Sequence, residues 1–160
     1  VITKKEVKNG IDDFKQLRYE NINGRKNMKI NPHADVSNFE LVGDFMEAFG
    51  QKVEVDPTWP DFNTRELRLE LIQEELDELA QAVDDRDMIQ IADALTDLLY
   101  VVYGAGHSFG IDLDECFKEV HSSNMSKLGP NGKPIHREDG KVMKGPGYFE
   151  PDLEGILGAL

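Results

Sequence analysis

Apolar residues along most of the chain recur every three or four positions, which is the spacing of one face of an α-helix. Residues 36–49 show this pattern clearly, and Gly50 ends it. The next segment, VEVDPTWPDFNT, is rich in proline and turn-forming residues and predicts a connection. We therefore expect a first amphipathic helix whose buried face carries Phe39, Val42, Phe45, Met46 and Phe49.

Three more helices are predicted by the same spacing. Thr64 is expected to cap a second helix that runs to about Val83, with one apolar stripe formed by Ile72, Leu76, Leu79 and Val83. A third helix is expected from Met88 to about Phe109, with Met88, Ile91, Leu95, Leu98 and Val102 on one face. A fourth is expected to begin at Leu113, with a stripe of Leu113, Phe117, Val120, Asn124 and Leu128 that places Asn124 in the core.

The third helix is apolar almost all the way round, because Asp97 is the only charged residue between Ala94 and Gly106. Such a helix belongs at the centre of a bundle, and Asp97 is predicted to be buried there. Four helices and a tail are too few to cover this segment. The predicted fold is therefore an all-α helical bundle that is completed by oligomerisation.

The domain organisation follows from these elements. Residues 1–35 are polar and are expected to form an extension of unknown role, with a short helix over Glu6–Leu17. Residues 36–128 are expected to form the helical core. Residues 129–160 contain NG and DG turns and several prolines, which indicate an irregular tail or small hairpin packed over the core.

Charge and composition narrow the function. The chain has 160 residues and a net charge of −13, which argues against a nucleic-acid partner because binding phosphates along a polymer requires clustered Lys and Arg. Residues 127–144, in contrast, are rich in Lys and Arg. No run of about 18 apolar residues and no secretory signal is seen, so a cytoplasmic protein without a membrane partner is expected. The lone Cys116 is interpreted as a structural thiol.

Acidic residues on the second and third helices are the candidate chemistry. A buried, unpaired charge costs several kcal/mol, so acids in an apolar setting need compensating cations. A divalent cation such as Mg²⁺ is one solution, since it prefers carboxylate oxygens. A structural network of acids with Arg65 and Arg68 is the other. The sequence lacks the P-loop, GxGxxG and HExxH motifs of other nucleotide and metal sites. The acids concerned are Glu75, Glu78, Asp93 and Asp97.

These residues also resemble a known family. Glu74-Glu75-Leu76-Asp77-Glu78 has the form EExxE, and Asp93-Ala-Leu-Thr-Asp97 follows on the next helix. The pair of motifs resembles the MazG-like, all-α nucleoside triphosphate pyrophosphohydrolases, a group that includes phosphoribosyl-ATP pyrophosphohydrolase and the dimeric dUTPases. The resemblance extends over residues 36–157. One departure is that Ala94 stands where the family's second motif, ExxD, has its first acid, so Asp93 is expected to substitute.

The resemblance implies a metal-assisted hydrolysis of a nucleoside triphosphate to a monophosphate and pyrophosphate. In that interpretation Mg²⁺, with Mn²⁺ as an alternative, is held by Glu75, Glu78, Asp93 and Asp97. Glu74 and Glu75 take the catalytic role, in which Glu74 binds a further ion or orients the attacking water. The triphosphate is expected to meet Asn124, Lys127, Lys141 and Lys144.

Several alternatives remain open on the sequence. The substrate could be phosphoribosyl-ATP, as in histidine synthesis, or the protein could be a non-catalytic acidic helical module that binds partner lysines or Ca²⁺. The family resemblance also implies a homodimer or homotetramer. Aromatic residues are candidates for a wall that stacks on the base, although helical spacing also suits a plain core; they are Phe39, Phe45, Phe49 and Trp59.

Overall fold

Helices provide the regular structure of residues 36–158, the part of the chain that the computed structural model describes. They are α1 (Asn38–Ala48), α2 (Phe62–Asp84), α3 (Met88–Phe109), α4 (Leu113–Met125) and α5 (Leu153–Leu157). Within this range the only β pairing is an isolated antiparallel bridge between His136 and Val142. The predicted all-α class is confirmed. The helix predicted over Glu6–Leu17 lies outside the described residues.

Short polar side chains begin each of the long helices. Ser37 and Glu40 form a reciprocal capping box at the start of α1, with hydrogen bonds of 2.7 and 3.1 Å. The prediction that Thr64 caps α2 is wrong. Asp61 is the cap, and its carboxylate accepts hydrogen bonds from both the backbone N and Oγ1 of Thr64. Aspartates at positions 87 and 112 cap α3 and α4 in the same way.

The α2–α3 pair forms the centre of the fold. A turn at residues 85–87 joins the two helices, which pack extensively against each other, and α1 packs on α3. Glycines on α3 allow close approach: a Cβ at Gly104 would lie 3.2 Å from Arg68 Nη1, and one at Gly106 would lie 2.7 Å from Leu113. His107 holds α1 against α3. Its Nε2 donates to the carbonyl oxygen of Phe39 (2.8 Å), and its imidazole ring stacks on the ring of Phe39.

The buried face differs from the predicted apolar stripes. Small residues such as Ala82 and Ala94 are buried, whereas Val83 and Met88 are 54% and 74% exposed. The physical reason is that one side of the α2–α3 pair has no covering element among the described residues of a single chain. Several other large apolar side chains on that pair are also exposed, among them Leu76, Ile89, Leu95 and Leu99.

By length and composition, α3 is apolar enough to cross a membrane. Its best 18-residue window has a mean hydropathy of 1.2, and only 11% of that window is buried. This finding differs from the expectation that no apolar run of that length exists. The helix nevertheless carries Asp93 and Asp97, and a charged aspartate at the centre of a bilayer costs about 2.5–3.5 kcal/mol.

The proline-rich connection crosses the C-terminal end of α3. The backbone N–H groups of Glu54 and Thr58 donate to the carbonyl oxygens of His107 and Phe109, at 2.9 and 3.0 Å. Both carbonyls lie in the last turn of the helix, where few partners are available, and that of His107 also accepts from the backbone N of Gly110 (3.3 Å). The connection therefore supplies hydrogen bonds to the end of α3. Gly110 ends α3 at φ +65°, and a Cβ there would lie 2.0 Å from the carbonyl oxygen of Asp56. Only glycine fits this crossing.

The C-terminal tail is tied to α4. Ser123 Oγ donates to the carbonyl oxygen of Phe149 (2.9 Å), and the backbone N of Gly145 donates to that of Lys127 (3.0 Å). Turns at residues 129–132 and 137–140 flank the bridge at His136. The expected irregular tail with a small hairpin is present, and α5 is an addition that the sequence pattern did not predict.

Candidate active site

Five acidic side chains lie along the contact between α2 and α3. Glu74, Glu75 and Glu78 belong to α2, and Asp93 and Asp97 belong to α3. Burial raises the pKa of Glu75, and the four neighbouring carboxylates raise it further, in the order Glu78, Asp97, Glu74 and Asp93. Like charges exert such an effect only at short range. The structure therefore brings all five predicted acids into one field, which we call the acidic groove.

Glu75 has the most unusual setting of the five. Its Oε2 is enclosed and has no hydrogen-bond partner, a state found at no other side-chain nitrogen or oxygen of residues 36–158. A buried carboxylate oxygen without a donor is unfavourable unless a cation or another donor occupies the neighbouring space. Asp97 has its pKa raised first by burial and then by Asp93. The groove is thus short of positive charge.

Within the described residues, arginines do not compensate these acids. Arg65 donates to the carbonyl oxygen of Pro60 (2.8 Å), and Arg68 donates to Ser108 and Gln51. Among residues 36–158, none of the ion pairs involves an acid of the groove. The described part of the chain therefore contains no structural network that joins these acids to Arg65 and Arg68.

The carboxylates of the described residues are not arranged as a complete set of metal ligands. No three His, Cys, Asp or Glu side chains within the described range converge as metal ligands. The prediction that Asp97 is buried is also wrong for a single chain, since Asp97 is exposed. Its helix face lacks a cover, so its partial desolvation comes from the neighbouring turn of α3 and from α2. The donor type and the unbonded Glu75 oxygen nevertheless suit a hard divalent cation.

The predicted phosphate-binding residues form a separate group. Lys127 Nζ donates to Asn124 Oδ1 (2.6 Å) at the end of α4, and the Gly145–Lys127 backbone bond holds Lys144 beside them. Lys144 lies 4.1 Å from the ring centroid of Tyr148. No hydrogen bond or ion pair among the described residues joins this group, or Lys141, to the acidic groove.

The core position predicted for Asn124 is wrong. Asn124 is exposed, and the neighbouring Ser123 is the buried residue of that turn. The helical stripe is displaced by one residue because Ser123 anchors the tail through the carbonyl oxygen of Phe149. The sequence contains no signal for this anchor, since the two residues are 26 positions apart.

A cavity beside the groove was not predicted. It has a volume of about 460 Å³ and lies between α1, α2 and α3, with Phe45, Arg68, Leu71 and Tyr100 among its lining residues. Of the four aromatic candidates for a base-stacking wall, only Phe45 lines it. The available signal for the cavity in the sequence was Arg68, a charged residue that follows Leu67 and has Leu71 and Ile72 as its next neighbours on the same side of α2.

Helices that bring two motifs of acids into one groove define a class of all-α protein with a candidate cation site. Comparison with known families places the chain within that class. The sequence model for the phosphoribosyl-ATP pyrophosphohydrolase family matches residues 42–124, which include both acidic motifs. The chain belongs to this family.

Two individual proteins are similar to the chain. Uncharacterized protein L479 of Acanthamoeba polyphaga mimivirus is 43% identical over 112 residues, which are 68% of this chain and 42% of that protein. The chain thus spans less than half of that relative's length. A crystal structure of a proposed NTP pyrophosphohydrolase from Exiguobacterium sp. 255-15 shares 26% identity, with 76% of this chain and 94% of that chain covered and a TM-score of 0.43. At that score the backbones overlap only in part, so the family assignment rests on the sequence match.

Proposed function

We propose that the protein is a nucleoside triphosphate pyrophosphohydrolase that depends on a divalent cation, Mg²⁺ or Mn²⁺. It would cleave a ribo- or deoxyribonucleoside triphosphate to the monophosphate and pyrophosphate. The observation that carries the proposal is the enclosed, unbonded Oε2 of Glu75 within five acids that no arginine or lysine of residues 36–158 neutralises. Membership of the family supports the same reaction class.

The carboxylates have distinct proposed tasks. Glu75, Glu78, Asp93 and Asp97 would hold the cation, with Asp93 replacing the acid that is absent at Ala94. Bound Mg²⁺ supplies charge neutralisation at the phosphate oxygens and makes a water molecule more acidic. Glu74 would orient the attacking water and accept its proton. A new bond then forms from the water oxygen to the α-phosphorus, and the bond to the pyrophosphate oxygen breaks.

The basic group at the end of α4 is proposed to meet the phosphates. Asn124 can donate from its amide, and Lys127, Lys141 and Lys144 carry positive charge that would balance the leaving pyrophosphate. Since this group has no contact with the acidic groove in the described chain, we propose that it acts on the groove of another copy or after closure over substrate.

A homo-oligomer is therefore part of the proposal. The large exposed apolar side chains of α2 and α3 form a surface that a second copy would cover. A membrane is the less favourable cover, because Asp93 and Asp97 interrupt the same helix. We expect a dimer or tetramer, without nucleic-acid or membrane partners.

Pyrophosphate release tests the function. We expect release from one or more dNTPs or NTPs with Mg²⁺ and none with EDTA. Glu75→Gln should lower kcat/KM at least about 100-fold, since it removes an anionic ligand with little change in shape. Glu66→Gln is the matched control on the same helix, because Glu66 is exposed and lies outside the acidic groove; its activity should equal that of the wild type.

Other results would favour other functions. Release from phosphoribosyl-ATP, with none from dNTPs or NTPs, would identify the substrate after which the family is named. Absence of release from every compound by folded protein would contradict the proposal and would favour a binding module with an acidic groove.

A further inference from the structure

The cavity adjoins the acidic groove along both helices that form it. Leu71 lines the cavity and precedes Glu75 by one turn of α2, and Tyr100 lines it and follows Asp97 by three residues of α3. Side chains at these spacings are neighbours on a helix. Its volume of about 460 Å³ also lies within the range of about 300–1,000 Å³ that is typical of ligand sites. A nucleotide with its phosphates at the groove can therefore place its base in the cavity.

Arg68 is the unusual residue of this cavity. Its side chain is buried, at 8% exposure; Nε donates to Ser108 Oγ (2.8 Å) and Nη2 donates to Gln51 Oε1 (3.0 Å). Neither partner is charged, and no carboxylate of residues 36–158 pairs with the guanidinium. Nη1 donates to no atom of those residues. Burial lowers the pKa of Arg68, so the positive charge is held there at a cost.

Nη1 is not enclosed, so its free N–H groups can donate to an acceptor on a ligand in the cavity. The other polar side chains that line the cavity are Gln51, Lys52, Thr64, Tyr100 and Ser108. The oxygens of Gln51 and Ser108 accept from Arg68, and the hydroxyls of Thr64 and Ser108 donate to Asp61 and Gly104. Lys52 and Tyr100 have protons to donate. The rings of Phe45 and Tyr100 meet edge to face, with centroids 5.4 Å apart, and supply an apolar aromatic wall. The cavity thus suits a flat aromatic ligand whose edge carries carbonyl oxygens.

We infer that the cavity is a base subsite that selects oxo bases over amino bases, and that Arg68 determines this specificity. The inference rests on the proposed function. The oxo bases are guanine, hypoxanthine, uracil and thymine, each of which presents a carbonyl oxygen where adenine or cytosine presents an amino group. An amino group at that position would face N–H donors and leave both sides unpaired.

Paired substrates test the inference directly. We expect kcat/KM to be about tenfold or more higher for dITP than for dATP, and for dUTP than for dCTP, because each pair differs in the oxo or amino group. Arg68→Met should reduce both ratios to about threefold or less. Arg65→Met is the matched control: Arg65 lies one turn earlier on α2 and does not line the cavity, so both ratios should persist.

Folding is followed by circular dichroism, and Arg68→Lys provides a second variant that keeps the charge but loses the planar fork. It should also lower both ratios. The wild-type ratios test the selectivity even where a variant is unfolded. Ratios near one in the wild type, or ratios unchanged in folded Arg68→Met and Arg68→Lys, would overturn the inference.

Direct binding separates this inference from the proposed function. Calorimetry of the wild type should show tighter binding of dIMP than of dAMP, and Arg68→Met should abolish the difference. If no triphosphate is hydrolysed but this preference is present, the proposed function fails and the base subsite stands. If triphosphates are hydrolysed without a preference for oxo bases, the hydrolase stands and the base subsite fails.

Discussion

Glu75 carries an electrostatic cost that no side chain of residues 36–158 relieves. One of its carboxylate oxygens is enclosed without a hydrogen bond, and four like charges act on it. A protein keeps such a group when something outside the chain compensates it, or when function requires the tension. The acid is therefore the best single position at which to test for a bound cation.

The pH dependence of stability follows from the raised pKa of Glu75. In the folded chain this pKa lies above its ordinary value of 4.5, so the folded state binds the proton more tightly than the unfolded state does. Stability from this group is present below about pH 4.5 and is lost as pH rises through the folded pKa. In EDTA, Glu75→Gln should therefore melt higher than the wild type at pH 7.5, and the difference should vanish near pH 4.

Thermal melting from pH 4 to 8 measures this effect. Addition of Mg²⁺ should raise the melting temperature of the wild type and should raise that of Glu75→Gln less. Glu66→Gln, at an exposed position on the same helix, should follow the wild type throughout. If the melting temperatures of wild type and Glu75→Gln in EDTA changed in parallel with pH, the charge of Glu75 would not destabilise the folded protein.

Residues of this kind were partly visible in the sequence. The spacing of Glu74, Glu75 and Glu78 predicted their shared helix region, because a helix has a fixed period. Arg68 was interpreted only as a possible partner for the acids. Its contacts with Gln51 and Ser108 join residues 17 and 40 positions away, and local periodicity carries no information about such contacts.

At the scale of the helices and their connections, a few backbone positions accept only one residue type, because a neighbouring segment packs closely against them. The end of α3 is the clearest, because the connection after α1 passes directly over Gly110 and uses the last carbonyl oxygens of the helix. This crossing sets the relation between α1, the connection and α3, and thereby one wall of the cavity.

Alanine at Gly110 should destabilise the protein more than alanine at Gly132. Both glycines have a left-handed φ, +65° and +69°, so the conformational cost of about 1 kcal/mol is shared. Only at Gly110 would the new Cβ meet backbone, 2.0 Å from Asp56 O, whereas nothing lies within 4 Å at Gly132. We expect Gly110→Ala to cost at least about 2 kcal/mol more than Gly132→Ala.

Urea unfolding of the two variants gives the comparison. Equal losses would show that the connection does not pack on the end of α3 as described. Helix boundaries themselves were predictable within a few residues, since capping aspartates and glycines mark them. The cap of α2 was misassigned because Asp61 and Thr64 are both good caps and only the backbone geometry distinguishes them.

At the scale of the molecule, the main open feature is the side of α2 and α3 that no element of residues 36–158 covers. Ile89 and Met88 are 78% and 74% exposed at the start of α3, and Phe117 is 72% exposed on α4. A monomer that left these side chains in water would be prone to association. The same surface lies beside the acidic groove, so the proposed oligomer would also enclose the site.

Light scattering after size-exclusion chromatography tests the assembly. The wild type should have twice or four times the mass of its chain, and Ile89→Asp should shift it toward the monomer by placing a charge in the interface. Val55→Asp is the control, because Val55 is 88% exposed in the connection, which crosses the end of α3 opposite to Ile89. A monomeric wild type would contradict the proposal that a second copy covers this apolar surface, and binding of that monomer to lipid vesicles would identify a membrane as the cover instead.

The sequence by itself determined the all-α class, the four long helices and the acidic motifs, because all of these depend on local periodicity and local capping. Only the tertiary structure decided which side chains became buried. Ser123 is buried instead of Asn124, and Asp97 is exposed. Arg68 is buried and lines a cavity beside the groove. Burial depends on which distant segments pack together, and the balance of packing and chain entropy over the whole fold selects them.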